Sequence, residues 1–470
     1  MTEAELLNRL DRLPFTKRHR KILFGAGLGW AFDAMDVGLI TYIIAVLTQQ
    51  WGLTPGQQSL IVSAGFVGMS LGAILGGGLA DRVGRRTVFT LTLIIYGVAT
   101  GASAFVGGVL PLIILRILVG LGLGAELPIA STLVAEVSPR RLRGSVTVWL
   151  EAFWALGWTL AALVGYFVVP FGDNGWRWAF AIGALPAFYA IIVRWGLPES
   201  VRFLLKSGNI EEAASVVADL ENSAREKTAS APQWQGHEPN ELAGSMASEP
   251  TTPSSHESTE NPNVDVEQKP SIAVLFSASL RRRTVAIWTV WFMVNFAYYG
   301  AFIWIPSILH ANGHSLVKSF GFTLVITLAQ LPGYAVAAYL IEKWGRRPTL
   351  TTFLLGSAVA AVSFGLADSS TSIIITGCML SFFNLGAWGA LYAITPEVYP
   401  TFVRGTGAGW AAGFGRIASI VAPFAVTALL AVGGVPGGNK ALLFVVLASA
   451  FAIAAAATFA LPERRGQSLR

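Results

Sequence analysis

Twelve long apolar runs, separated by short polar segments, make up most of the chain. A helix of about 20 predominantly apolar residues crosses a hydrocarbon core about 30 Å thick. Turn-forming residues between Gly107 and Pro111 divide one stretch that is too long for a single crossing. The pattern therefore predicts an all-α membrane protein with twelve transmembrane helices, at 22–47, 59–80, 87–106, 111–136, 145–170, 177–196, 284–309, 319–341, 348–367, 371–395, 405–431 and 441–461.

The polar segments contain a repeat with a constant shift of 261 residues. Residues 77–86 recur in weakened form at 339–347, and the Glu136 to Arg143 segment recurs as Glu397 to Arg404. Two motifs at one offset indicate two copies of one membrane unit. We expect a segment at 1–21, a six-helix bundle at 22–196, a linker at 197–283, a second six-helix bundle at 284–461 and a tail at 462–470.

The long central segment between the two bundles has a different composition. From Thr228 to Gln268 it has no Lys or Arg and is rich in Ser, Thr, Pro, Glu and Asn. Such a segment has too little apolar surface to offset its ordering entropy. We expect 197–283 to be a cytoplasmic linker, largely disordered, that serves as a spacer, with a regulatory segment as the alternative.

Composition supports a membrane protein and excludes several other classes. Hydrophobic residues make up 53% and charged residues 13%, against about 25% charged residues in soluble domains. The net charge of +6 comes from short loops between apolar runs, which argues against nucleic-acid binding. The single cysteine, Cys378, allows no intrachain disulfide.

The basic residues also predict an orientation. Of the 33 Lys and Arg residues, 28 fall on one side of the predicted topology and three on the other. Basic loops remain in the cytoplasm, so we expect both termini there and the protein in the plasma membrane. The first 21 residues are polar, and no cleavable signal peptide is evident.

The repeated polar motifs combine acids and bases at the predicted cytoplasmic ends of helices. Such charges could form a gate that holds the two halves together and opens the molecule inward when it breaks. The alternative is that they serve only as topology signals. The candidate gate residues are Asp81, Arg85, Arg86, Glu136, Arg143, Glu342, Arg346, Arg347, Glu397 and Arg404.

Ionisable residues inside the spans are functional candidates because they are costly to bury in a membrane. At about 1.5 Å per residue, Asp33, Glu126 and Arg416 all lie near mid-membrane, which predicts a shared central site. Glu151 lies only six residues into its span and is expected to belong to the cytoplasmic network. The other two residues of this set are Asp36 and Arg116.

Several motifs resemble those of the major facilitator superfamily of transporters. The segment Gly77-x-x-x-Asp81-Arg82-x-Gly84-Arg85-Arg86 resembles its signature, and Pro198-Glu199-Ser200 resembles a motif of its sugar-porter branch. Asp36, with Arg116-x-x-x-Gly120, resembles the pair that couples protons in bacterial sugar symporters. The resemblance implies alternating access by two rocking bundles, with Asp36, Asp33 or Glu126 carrying a proton and Arg116 as a partner.

Arg416 gives the clearest indication of the substrate. A guanidinium stays charged and forms two-pronged bonds with a carboxylate. The helix that carries Arg416 resembles the corresponding helix of animal organic-anion transporters. The segment Tyr298-Tyr299-Gly300 resembles a segment of organic-ion transporters. The alternative is a permanent pair with Asp33, Asp36 or Glu126.

Aromatic side chains in the same spans could stack on a flat ring. The segments from Trp30 to Gly38 and from Gly124 to Pro128 resemble the bacterial niacin transporters. This implies import of nicotinate, with the ring nitrogen bound by Asn295, Asn384, a tyrosine or Glu126. Another organic acid, a sugar or an organic cation remains an alternative. The candidate substrate-binding residues are Arg416, Asn295, Tyr298, Tyr299, Trp154, Trp158, Asn384, Trp388, Glu126 and Trp30.

Other functional classes lack their sequence signatures. The chain contains no Gly-x4-Gly-Lys-Ser/Thr phosphate loop, which argues against an ATP-driven pump, and no cluster of metal ligands. We expect no enzymatic activity and no cofactor. The expected partners are a small organic acid, protons and the lipid bilayer, with the monomer as the functional unit. A sensor that binds a ligand without moving it remains an alternative.

Overall fold

The structure is a computed structural model that describes residues 3–139, 143–229, 272–400, 403–434 and 438–463. These residues form helices joined by turns. Within these described ranges, eleven helical segments are long and apolar enough to cross a membrane. The predicted all-α membrane fold is thereby confirmed. The predicted third span also corresponds to a helix. This helix begins with Arg85 and Arg86 and is not among the eleven segments.

The first half contains the helices that precede and form the first six predicted spans. The sixth span is broken at Gly183 and Ala184, because Pro186 begins a new helix in its first turn. The helices are α1 (Glu3–Arg12), α2 (Lys17–Trp51), α3 (Pro55–Val83), α4 (Arg85–Ser103), α5 (Val109–Val137), α6 (Arg143–Phe167), α7 (Gly175–Ile182) and α8 (Leu185–Gly196).

The second half repeats this order with two broken spans. The seventh breaks before Ile305 and the eighth at Ala329. The helices are α12 (Arg281–Phe302), α13 (Ile305–Ala311), α14 (Leu316–Leu328), α15 (Gln330–Trp344), α16 (Arg346–Gly365), α17 (Ser370–Val398), α18 (Arg404–Ala431) and α19 (Lys440–Thr458), with a 3-10 turn at Val432–Gly434.

Part of the segment predicted as a disordered linker is helical. It contains α9 (Val201–Lys206), α10 (Ile210–Ala229) and α11 (Ile272–Leu275), and residues 230–271 lie outside the described part. Buried Ala213, Val217 and Leu220 recur along one face of α10. The composition argument covered residues 228–268, so it did not include most of this short amphipathic helix.

The predicted N-terminal segment also contains an unforeseen element. Leu6 and Leu10 of α1 are fully buried, and α1 packs on α10. Two hydrogen bonds, from Nε and Nη2 of Arg9 to the Glu221 carboxylate, measure 2.7 and 2.5 Å. The first helix is thus attached to the helix that follows the first bundle.

Glycines bring α3 and α5 into backbone contact. A β-carbon at Gly120 would meet the carbonyl oxygen of Gly65, and one at Gly124 would meet that of Met69. Small residues at such spacing allow membrane helices to approach closely. This packing fixes the helix that carries Arg116 against its neighbour.

The two halves are hydrogen-bonded to each other near one face of the molecule. We call the face where α2 begins and α19 ends the terminal face, and the opposite one the distal face. Near the distal face, Ser59 Oγ lies 2.8 Å from Thr427 Oγ1, and Ser63 Oγ donates to the Ile420 carbonyl at 2.8 Å. Gln49 also bonds to His310 across the halves, beside a cavity of about 440 Å³.

Candidate functional site

Aromatic side chains from both halves meet in one cluster. The rings of Trp30 and Trp154 lie 4.8 Å apart, and Trp154 Nε1 donates to the Tyr298 hydroxyl at 3.4 Å. Tyr298 also meets Trp158 and Trp388 edge to face, at 5.6 and 5.8 Å between ring centroids. The structure thus brings together five of the residues that the sequence proposed for substrate binding.

Helix α17 provides one wall of this cluster. Asn384, Trp388 and Tyr392 follow at four-residue intervals and so share a helix face. Trp388 stacks on Tyr392 at 5.8 Å, and Trp291 meets Tyr392 edge to face at 5.1 Å. The rings support one another, which limits their motion and leaves flat surfaces suited to an aromatic ligand.

Arg416 lies beside the aromatic cluster on α18. It is partly buried, its Nη1 atom is 3.8 Å from Met69 Sδ, and it faces the Tyr299 hydroxyl. Among the residues that the structure describes, no carboxylate lies within 4.0 Å of its guanidinium. The predicted alternative, a permanent ion pair with Asp33, Asp36 or Glu126, is therefore not formed in this structure.

Glu151 of α6 is another buried acid. Its early position in the span indicated the terminal-face charge network. Among the described residues it forms no ion pair within 4.0 Å, either with those charges or with Arg416.

Several buried polar groups around the cluster have no hydrogen-bond partner among the described residues. They are Nε1 of Trp30, Trp158 and Trp388, and both amide atoms of Asn384. Buried polar groups in folded proteins are nearly always paired, so such groups in one place require an explanation. These indole N–H groups and the Asn384 amide, together with the Arg416 guanidinium, provide hydrogen bonds for a small polar aromatic ligand.

Asn295 has a different environment from that expected of a ligand-binding residue. Its Nδ2 donates to the Trp291 carbonyl at 2.8 Å, and its Oδ1 accepts from Ser419 Oγ at 3.0 Å. A β-carbon at Gly415 would lie 2.6 Å from Asn295 Nδ2. Asn295 therefore joins α12 to α18 and positions the turn that carries Arg416.

Asp36 and Arg116 form a buried ion pair. Arg116 Nη1 donates to Asp36 Oδ2 at 2.9 Å, and Thr100 Oγ1 donates to Asp36 Oδ1 at 2.7 Å. At about 1.5 Å per residue along straight helices, the two residues would lie about 9 Å apart along the membrane normal. The long arginine side chain and the packing of α2 on α5 bring them together.

Asp33 and Glu126 form a second buried group within the first half. The two carboxyls face each other and the Tyr96 hydroxyl, and their four oxygens have no hydrogen-bond partner among the described residues. Glu126 Oε1 lies 2.5 Å from where a β-carbon on Gly29 would stand, so glycine makes room for it. Neither acid forms an ion pair with Arg416 among the described residues, so the predicted grouping of Asp33, Glu126 and Arg416 is not formed through direct charge contacts.

The charged motifs near the terminal face pair within each half. Arg85 Nε lies 3.5 Å from Glu136 Oε2, and Arg346 Nε lies 3.1 Å from Glu397 Oε1. The sequence predicted that these charges would join the halves to each other. The pairs seen among the described residues link neighbouring helices of one half.

The other predicted gate residues occupy varied positions. Arg86 lies 3.9 Å from Glu212, and the Arg347 amide donates to Glu463. Glu342 is exposed and Arg404 is half-buried. The side chains of Asp81 and Arg143 lie outside those that the structure describes.

Sequence reasoning missed Met69 and Tyr334. Met69 Sδ lies 3.8 Å from Arg416 Nη1, and Tyr334 lies against Gly389, next to Trp388 on α17. Neither residue gave a signal in the sequence, because only helix packing brings it to the site.

Comparisons of the sequence match known transporters over nearly its whole length. Residues 36–470 match the family described as sugar (and other) transporter. The chain is 45% identical over 426 residues to the niacin transporter NiaP of Acinetobacter baylyi, covering 91% of this chain and 90% of that protein. It is 42% identical over 435 residues to the putative niacin/nicotinamide transporter NiaP of Bacillus subtilis, covering 93% and 92%.

A comparison of folds finds the xylose transporter XylE of E. coli. Its partially occluded inward-open structure superposes with a TM-score of 0.73 at 17% identity, covering 97% of this chain and 100% of that one. At this identity the likeness concerns the fold alone. It agrees with the two-bundle arrangement of helices described above.

Proposed function

The chain belongs to the sugar (and other) transporter family of the major facilitator superfamily, and from that premise we propose that this multi-pass membrane transporter imports nicotinate. The two NiaP proteins, at 45% and 42% identity, support this substrate. A sugar would need hydroxyl-binding amides, whereas Trp288 and Thr289 stand where sugar porters carry a Gln pair.

The position of Arg416 is the observation that carries the proposal. Its guanidinium has no carboxylate within 4.0 Å among the described residues and adjoins a cluster of aromatic rings. A nicotinate carboxylate would form a two-pronged bond with it, while the pyridine ring stacks on Trp388 or Tyr298. The unpaired amide of Asn384 supplies a donor for the ring nitrogen.

The distribution of basic residues supports an inward orientation for the terminal face. The protein would then lie in the plasma membrane with both ends in the cytoplasm, act as a monomer, and be closed towards the outside in this structure. Nicotinate enters from the distal face and leaves at the terminal face as the halves rock. The buried acids Asp36, Asp33 and Glu126, with Arg116, are candidates for coupling this movement to protons.

Uptake into proteoliposomes tests the proposal. Purified protein should accumulate labelled nicotinate, and excess unlabelled nicotinate should compete. Nicotinamide has the same ring but no carboxylate, so a similar excess should leave uptake nearly unchanged. Uptake of labelled xylose or choline, without uptake of labelled nicotinate, would overturn the proposal in favour of a sugar or a cation.

A substitution series tests the role of Arg416. Arg416→Ala should abolish nicotinate uptake with normal membrane insertion, and Arg416→Lys should recover only part of it because an ammonium lacks the planar fork. Arg194→Ala, at an exposed arginine near the terminal face, is the matched control and should transport normally. Binding without counterflow in the unmodified protein would indicate a sensor.

A further inference from the structure

A groove lies between the start of α12 and the end of α19, near the terminal face. Its volume is about 600 Å³, within the range of ligand-binding clefts. Arg281 and Arg282 line it together with apolar side chains, and we call it the terminal groove. We propose that the terminal groove binds one anionic phospholipid of the membrane, with the lipid phosphate on the two arginines and an acyl chain between the helices.

The charge at the start of α12 favours an anionic ligand. Arg281 and Arg282 are exposed, Arg283 follows them, and the first turn of the helix contains no acidic residue. The first turn is also the positive end of the helix dipole. Three guanidinium groups there repel one another and the helix end, so a bound anion would relieve an unfavourable arrangement of charge.

The protein supplies no carboxylate that neutralises this charge. Among the described residues, no acid lies within 4.0 Å of the Arg281 or Arg282 guanidinium. Glu463 follows the end of α19, but it accepts a hydrogen bond from the Arg347 amide at 2.9 Å. The charge of the terminal groove is thus left for an anion from outside the protein.

The walls of the terminal groove suit a hydrocarbon chain. Val285 is 56% exposed on α12, and Ala457 and Ala460 form the opposite side with their small side chains. Thr289 Oγ1 donates to the Val285 carbonyl at 2.8 Å, so this hydroxyl needs no partner in the groove. A small anion would contact only the arginine end, whereas a phospholipid would contact both the arginines and the apolar walls.

Aromatic side chains place the terminal groove at the level of the lipid head groups. Phe276 lines the groove, and its ring meets Trp288 edge to face at 5.4 Å. Trp288 in turn stacks on Trp410 at 6.4 Å, and Trp410 is 50% exposed. Tryptophan is enriched where a membrane meets water. Basic residues at that level attract anionic lipids, and basic pockets between membrane helices bind their head groups.

A lipid titration of the purified full-length protein, followed by native mass spectrometry, tests this proposal. The probes are phosphatidylglycerol, which is anionic, and phosphatidylcholine with the same acyl chains and no net charge. The unmodified protein should bind phosphatidylglycerol more tightly. In the double variant Arg281→Gln with Arg282→Gln, the dissociation constant for phosphatidylglycerol should rise by roughly 30-fold, while binding of phosphatidylcholine should change little.

Two further variants separate the terminal groove from a general effect of charge. Arg194→Gln with Arg202→Gln removes two other exposed arginines and changes the net charge equally, so it should bind phosphatidylglycerol like the unmodified protein. Ala457→Phe fills the apolar part of the groove and keeps its charge, so it should also weaken binding. Equal losses in the two double variants would show that any basic surface suffices, which overturns the proposal.

Two competition experiments distinguish the lipid from other anions. Glycerol phosphate has a phosphate but no acyl chains, and it should not displace phosphatidylglycerol. If it does, the arginines bind a free anion and the proposal is refuted. The proposal also fails if phosphatidylglycerol binds only after residues 230–268 are removed, because the acidic residues of that segment would then be the ligand. None of these measurements depends on the transported substrate.

Discussion

Glu199 and Glu463 cap equivalent helices in the two halves. Glu199 accepts hydrogen bonds from the Arg85 amide at 2.9 Å and the Arg86 amide at 3.1 Å, at the start of α4. Glu463 accepts one from the Arg347 amide at 2.9 Å, at the start of α16. A carboxylate at a helix start satisfies free N–H groups and interacts favourably with the helix dipole.

Replacing Glu199 should destabilise the first half. In Glu199→Ala the amides at the start of α4 lose their acceptor, with an expected loss of about 1–2 kcal/mol. Thermal unfolding in detergent would show a lower midpoint. Glu212→Ala should change the midpoint less, because its pair with Arg86 is long, at 3.9 Å, and the hydrogen bond that it accepts from Asn209, at 2.8 Å, is exposed. Equal midpoints for both variants would show that the Glu199 bonds contribute little.

The close contact of α3 and α5 should not tolerate a larger residue. Gly124→Val places a side chain against the Met69 backbone, and overpacking of this kind costs about 1–3 kcal/mol. Because Met69 also contacts Arg416, nicotinate binding should weaken as well. Thermal unfolding and a binding titration would measure the two effects. Gly107→Val, at a turn position with open space, is the control and should match the unmodified protein in both.

Removing one member of the Asp36–Arg116 pair should be more harmful than removing both charges. Asp36→Asn leaves a buried guanidinium without its carboxylate, which costs about 3–5 kcal/mol. The double variant Asp36→Asn with Arg116→Gln should recover part of the lost stability. Unfolding midpoints of the three proteins provide the test. A double variant less stable than Asp36→Asn would contradict this account.

The aromatic wall should contribute measurably to substrate affinity. Trp388→Leu removes a ring that contacts Tyr298 and Tyr392, and loss of one stacking partner corresponds to about 0.5–1.5 kcal/mol. The dissociation constant for nicotinate should rise by roughly 2–13-fold by that estimate. Trp195→Leu, at a largely exposed ring, should bind normally. Unchanged binding in Trp388→Leu would place the ring of the substrate elsewhere.

Attachment of α1 to α10 should depend on pH. The hydrogen bond from Arg9 lowers the pKa of Glu221 below its ordinary value, which is about 4.3 in an unfolded chain. A lowered folded-state pKa means that the attachment is strongest above about pH 4.3 and is lost as pH falls through the folded-state value. Amide hydrogen exchange of residues 3–12 should therefore accelerate as pH falls through this range, after correction for intrinsic rates. In Arg9→Gln that acceleration should be absent.

Much of this protein could be predicted from local patterns in its sequence. The apolar runs predicted the transmembrane helices, and the constant shift of 261 residues predicted two copies of one membrane unit. Motif resemblance gave the family, and Arg416 could be selected because a charge inside an apolar span is rare. These features depend on residue type and on spacing along one segment, so no knowledge of helix packing was needed.

Only the tertiary structure decided which charges meet. Arg85 pairs with Glu136 and Arg346 with Glu397, each within one half, whereas the Asp36–Arg116 pair was already implied by the family resemblance. Depths along straight helices place side chains along the membrane normal but leave rotation, tilt and helix breaks undetermined. The folding of α1 and α10 onto each other was equally hidden, because short amphipathic helices gain their stability from the surface that they cover. Distances between side chains on different helices are set by the packing of segments that are distant in sequence. They therefore cannot be read from the spacing of residues within one segment.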